Sequence, residues 1–120
     1  MMDRNASILP LRPEIVLDNE RKSLTIEQFQ NDVLRPILKF QHDLLVLHFK
    51  QQIKNQPNPI PQLDLLVKQT LQNNLTLRTF YIGLIVGLFT TDELMFYHQY
   101  TSEINKRIIQ MLITRIQSAL

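Results

Sequence analysis

The chain has 120 residues, no cysteine, and 13 lysines and arginines against 11 aspartates and glutamates. A domain of this length buries roughly 60–70% of its unfolded surface, so we expect one domain stabilised by packing. The absence of cysteine excludes disulfides, thiolate metal ligands and thiol nucleophiles. Because acidic residues are interspersed among the basic ones, the charge pattern predicts no nucleic-acid partner.

Hydropathy predicts a cytoplasmic protein without membrane contact. Residues 1–10 include Asp3 and Arg4 and lack the continuous apolar stretch of a secretion signal. The longest uncharged apolar stretch, residues 80–91, is shorter than the ~20 residues needed to cross a bilayer.

Residues 1–23 are predicted to form an extended N-terminal arm, followed by a single helical domain over 24–120. Pro10 and Pro13 interrupt short apolar pieces in this segment and disfavour helix in the residues before them. The arm is expected to pack across the helices or across a partner, or to remain a loosely held terminus.

The first long helix is predicted over 26–55. It opens with a capping box in which Thr25 and Gln28 satisfy each other's backbone groups. Apolar residues then recur at helical spacing. Pro36 interrupts this helix, because it has no N–H and its ring presses on the preceding turn. A kink is favoured over a restart, since the apolar stripe keeps its phase across the proline.

Three prolines within residues 55–61 mark the main loop. A short amphipathic helix follows from Leu63 to about Asn73. The next helix, over about 77–89, has no polar face after Arg78, which is typical of a helix surrounded by others. We therefore expect it at the centre of the fold.

Gly83 and Gly87 are the only glycines, and they lie four residues apart on this helix. Each costs about 0.8–1 kcal/mol relative to alanine inside a helix, so a close backbone approach is expected to compensate. The favoured interpretation is tight packing against a neighbouring helix of the same subunit. The alternative is a ligand resting against the bare strip.

The last helix, predicted over about 91–119, opens with a second capping box at Thr90 and Glu93. Its apolar surface flanks a polar stripe on both sides and exceeds what one neighbouring helix covers. We therefore predict a shared interface on one border, formed by Ile109, Ile113, Ile116 and Leu120. The fold predicted overall is all-α and four-helix bundle-like, with its helices in the order long, short, short, long.

No catalytic residue, metal site or cofactor is predicted. His42 and His48 lie on different sides of one helix, and Glu93 and His98 are five residues apart, which does not match the Glu-x-x-His pattern of helical metal sites. The densest polar and aromatic cluster offers pocket candidates, namely Tyr97, His98, Tyr100 and Arg107. Aromatic packing between helix ends is the alternative for that cluster.

Three segments resemble a group of small all-helical bacterial proteins of unassigned function, some of which carry the label glyoxalase. They are residues 29–39, 87–90 and 105–107, and the similarity covers about 25–117. The resemblance implies a shared helical fold and no particular reaction. This sequence departs from the strand-rich, metal-chelating glyoxalases and lacks the His-x-His-x-Asp-His cluster of the hydrolytic ones.

The function predicted first is a non-catalytic helical interaction or regulatory module, most simply a homodimer that pairs through the last helix and the 1–23 arm. An unknown protein partner is the second option for that surface. From another class, the alternative is a small enzyme or carrier with an apolar pocket between helices. Nucleic-acid binding is the weakest alternative, and its candidate residues are Lys106, Arg107, Arg115, Lys50 and Lys54.

Overall fold

A computed structural model describes residues 3–12, 25–54 and 62–120, and the regular structure in these ranges is entirely helical. The prediction of an all-α fold is confirmed. The proline-rich loop, residues 55–61, and residues 13–24 fall outside the described residues. The elements are α1 (Arg4–Ile8) with a 3₁₀ turn (Leu9–Leu11), α2 (Ile26–Phe29), a π-helical segment (Gln30–Leu34), α3 (Arg35–Ile53), α4 (Leu63–Asn73), α5 (Leu75–Val86), α6 (Thr91–Gln99) and α7 (Thr101–Ala119).

The first long helix runs from α2 into α3 through the π-helical segment. Its capping box is present, with Gln28 N–H donating to Thr25 Oγ1 at 3.1 Å and Thr25 N–H donating to Gln28 Oε1 at 2.8 Å. Backbone angles stay right-handed helical at Phe29, Gln30, Leu34 and Arg35, so the helix does not restart at the proline. The wide turn lies directly before Pro36, where an α-helix would need the N–H that proline lacks.

The predicted last helix is two helices. Tyr100 leaves the helical region with φ −134° and ψ 37°, and α7 begins at the next residue. Thr101 Oγ1 donates to the Tyr97 carbonyl at 3.0 Å and so satisfies an acceptor at the end of α6. No glycine or proline marks this break, which is why the helical periodicity carried the prediction straight through it.

Helix α7 is the element around which the core is built. It contacts α3, α4, α5, α6 and the π-helical segment. Ile104, Ile108 and Leu112 are completely buried, and both of its apolar borders are covered by the same chain. The expectation that this surface exceeds what one copy can cover was wrong, because α7 has several neighbouring helices and not one.

Residues 4–12 contact the connection between α5 and α6 through two arginines. Arg4 donates to the carbonyls of Phe89 and Gly87, and Arg12 forms a two-pronged ion pair with Glu93 at 2.6 and 3.0 Å. Glu93 Oε1 also accepts from the backbone N–H of Thr90, so the ion pair joins the second capping box. The prediction of an extended arm was wrong for residues 4–11, which are helical.

Helix α5 is not central. One side packs on the core through Leu77, Tyr81 and Ile85, while the other side is open, with Leu75 73% and Phe80 45% exposed. A Cβ placed on Gly83 meets no neighbouring atom within 4 Å, and one on Gly87 meets the Gly83 carbonyl of its own helix. Within the chain, the predicted close packing of Gly83 and Gly87 against a neighbouring helix was therefore wrong.

We expect Gly83→Ala to raise the free energy of unfolding by about 0.5–1 kcal/mol, since the site has room and alanine restricts the unfolded chain. Gly87→Ala is the matched control and should gain less, because its Cβ would lie 3.1 Å from the Gly83 carbonyl oxygen. Denaturant unfolding at high dilution measures both. A destabilised Gly83→Ala protein would contradict the open environment of this glycine.

Candidate functional site

Helices α3 and α5 together expose an uncharged apolar surface. They lie side by side, because Gln41 Nε2 donates to the Leu84 carbonyl at 3.1 Å and the rings of His48 and Phe80 are 4.6 Å apart. Arg78 is the one charged residue of α5, and it turns away to donate to the Gln72 carbonyl. We call this surface the α3–α5 face; its exposed residues are Phe40, Leu44, Leu47, Leu75, Thr76, Thr79, Phe80 and Gly83.

A polar pair lies under the α3–α5 face, formed by the buried Tyr81 and the half-buried His48. Tyr81 is completely buried, and its hydroxyl lies 2.9 Å from His48 Nδ1 on α3. Burial raises the pKa of Tyr81 above its ordinary value of 10.0, because the interior disfavours the phenolate. The two rings also meet edge to face at 5.4 Å, so the pair fixes the spacing of α3 and α5 beneath the exposed surface.

A basic cleft lies between the start of α3 and the second half of α7. Its volume is about 650 Å³, and its lining residues are Gln30, Arg35, His42, Gln110, Met111, Thr114, Arg115, Ser118 and Ala119. Arg115 Nη1 lies 3.3 Å from His42 Nδ1. Burial and, secondarily, the charge of Arg35 lower the pKa of Arg115. Among the described lining residues there is no carboxylate.

The π-helical segment places Gln30 and Arg35 on the same wall of this cleft. The Arg35 N–H donates to the Gln30 carbonyl, five residues back. In an α-helix residues five apart point about 140° away from each other, whereas a π turn brings them onto successive turns of one side. Gln30 Oε1 accepts from Arg107 Nη1 at 2.9 Å, which fixes the orientation of the Gln30 amide.

The four predicted pocket residues lie in different environments. Tyr97 is buried, packs against Phe89 and donates to Asn105 Oδ1 at 2.6 Å. His98 is exposed, and Tyr100 packs on the Phe96 ring at the surface.

Arg107, the fourth pocket candidate, binds Gln30 and Glu103 on a side of α7 that borders a shallow cavity of about 280 Å³. None of these four residues is among the described residues that line the basic cleft. Tyr97 packs on Phe89, just after the end of α5, whereas Tyr100 packs on Phe96 of α6 itself.

The four predicted interface residues are covered by their own chain. Ile109, Ile113 and Ile116 are at most 6% exposed, and Leu120 packs against the core. They therefore do not form a free surface. The structure exposes apolar side chains on the α3–α5 face instead.

The described residues contain no group of three or more histidine and carboxylate side chains that could hold a metal ion. The histidines occupy three different settings: His42 lies beside Arg115, His48 beside Tyr81, and His98 at the surface. None of the described helices is long and apolar enough to span a bilayer.

Comparisons with protein-family models, with curated proteins and with solved structures find no match to this chain. The resemblance carried by residues 25–117 therefore stays a prediction, and the functional argument depends on the geometry alone.

Sequence reasoning missed the basic cleft. Arg35 and Arg115 are 80 positions apart, and nothing in the spacing of charges brings them together. The available signal was Pro36, which marks an irregular turn but does not specify that the turn is π-helical.

We expect Tyr81→Phe to lower the free energy of unfolding by about 0.5–1.5 kcal/mol at pH 7, since His48 loses its partner. The raised pKa of Tyr81 means that the folded protein holds this proton more tightly than the unfolded chain. Its contribution is complete below the unfolded pKa of about 10 and is lost as the pH rises above that value. The variant should therefore lose less stability than the wild type between pH 9 and 11, as measured by urea unfolding; equal losses would contradict the burial of this phenol.

Proposed function

We propose that the protein is a non-catalytic helical module that associates with a second copy of itself through the α3–α5 face. The observation that carries this proposal is that α5, whose one charged residue is Arg78, packs against α3, α4 and α7 but leaves a side with Leu75, Phe80 and Gly83 exposed. A helix without a polar face is normally covered all round. A second copy covers the open side.

The apolar residues of α3 have the spacing of a helix-pairing stripe. Phe40, Leu44 and Leu47 follow each other at four and three residues and are 46%, 50% and 65% exposed. Residues at this spacing lie on one side of a helix, where they insert between the side chains of a facing helix. Next to this stripe, Thr76, Thr79 and Gly83 form a strip of small exposed residues on α5. In the proposed dimer this strip accommodates a large side chain of the second copy, such as its Phe80.

The charges nearest the middle of the stripe's edge favour a second copy in particular. Asp43 and Lys50 are both exposed, and they lie seven residues apart, which places them on the same edge, two turns apart. A two-fold axis near the middle of this stretch opposes Asp43 of each copy to Lys50 of the other. The same axis opposes the exposed Lys39 to Lys54, so the charges are complementary near the middle of the stripe and alike at its ends. On α5 the one charged residue, Arg78, is directed away from the α3–α5 face to the Gln72 carbonyl, so the pairing brings no like charges together on that helix.

The proposal moves the predicted interface from α7 to α3 and α5. The alternative function, a small enzyme or carrier with an apolar pocket at Tyr97, His98 and Tyr100, gains no support from these residues, which lie in separate environments.

The test is sedimentation equilibrium over micromolar concentrations. We expect the wild type to shift with concentration from 14.2 kDa towards twice that mass. Leu44→Lys with Phe80→Lys should weaken association more than roughly tenfold, since each replaced side chain contributes about 1.5–3 kcal/mol when fully buried and 1.4 kcal/mol corresponds to tenfold.

The matched control is Leu65→Lys with Met95→Lys, which adds the same two charges at apolar positions of similar exposure, 44% and 66%, outside the face. This variant should associate like the wild type. A wild type that stays at 14.2 kDa at every concentration, or a control that dissociates as readily as the double variant of the face, would contradict the proposal.

A further inference from the structure

We propose that the basic cleft between α3 and α7 binds a small organic anion that carries a phosphate or carboxylate group. The charge of the ligand would lie between Arg35 and Arg115, and its apolar part against Met111 and Ala119. This site is separate from the α3–α5 face and does not depend on self-association.

The first support is uncompensated positive charge. Two guanidinium groups and a histidine ring line one cleft, and no carboxylate among the described residues lines it with them. The Arg35 side chain has no hydrogen-bond partner within the described residues, and the Arg115 side chain reaches only the ring of His42. Arginine is the side chain best suited to phosphate and carboxylate, because its planar fork matches two oxygens at once.

The second support is the set of available donors. Thr114 Oγ1 and Ser118 Oγ donate to carbonyls of their own helix, at 3.2 and 3.0 Å, so these hydroxyls are already committed. Gln30 uses its oxygen to accept from Arg107, which leaves the amide nitrogen as a donor. The cleft therefore presents N–H groups from Gln30, Arg35 and Arg115, which suit an anion.

The third support is the backbone along one wall of the cleft. The π turn is what puts Gln30 and Arg35 on one wall, and such turns occur frequently at functional sites. The volume of about 650 Å³ falls within the range of small-molecule sites, which is roughly 300–1,000 Å³.

The test uses the full chain labelled with ¹⁵N and two probes, phenyl phosphate and benzoate, with benzyl alcohol as the uncharged control. We expect one or both anions to shift the amide resonances of Gln30, Arg35 and Thr114, to saturate, and to bind more weakly as salt is added. Saturation by phenyl phosphate alone assigns a phosphate ligand, and saturation by benzoate alone assigns a carboxylate. Benzyl alcohol should leave these resonances in place.

Arg35→Met and Arg115→Met should each weaken binding at least roughly tenfold, because a charge-assisted hydrogen bond is lost. Arg35 is exposed, so we expect Arg35→Met to fold like the wild type. This variant therefore tests the site even where Arg115→Met, at a half-buried position, destabilises the fold. Lys68→Met removes the same charge from an exposed position on α4 and should bind like the wild type. The proposal is overturned if neither anion saturates at millimolar concentration, or if Arg35→Met and Lys68→Met bind equally.

Discussion

Helix α5 imposes the constraint on which the account depends. Eleven of its twelve residues are uncharged, and only one of its sides reaches the core. An isolated copy leaves Leu75, Phe80 and the side of Gly83 in water, next to the stripe of α3. Exposed apolar patches that extend over neighbouring elements mark interaction surfaces more often than single exposed leucines do. This geometry supports the proposed self-association, and the proposal needs no chemical group that acts on a substrate.

The sequence predicted the all-α class, the two capped helix starts and the core periodicity, because each depends on local contacts. Thr25 and Thr90 form the capping boxes that their spacing indicated. The sequence could not predict how many neighbouring helices each helix has. Helix α7 looked too apolar for one chain and is covered, whereas α5 looked central and is half open. Hydrophobic periodicity identifies apolar sides but does not identify what covers them.

The basic cleft lay beyond sequence reasoning for a different reason. Pro36 removes one backbone donor, and the chain responds with a wide turn over the preceding five residues. That turn rotates Gln30 onto the side of Arg35, and the packing of α3 against α7 then adds His42 and Arg115. A local backbone irregularity and a contact between distant segments must both be known before these residues can be grouped.

The most direct measurement of the central claim is a distance between two copies. The chain has no cysteine, so Gln51→Cys, at the exposed end of the α3 stripe, carries a single spin label. Double electron–electron resonance should give one well-defined intermolecular distance, with an amplitude that rises with protein concentration and disappears in the Leu44→Lys, Phe80→Lys background. A featureless decay at all concentrations would show that α3 and α5 do not face a second copy.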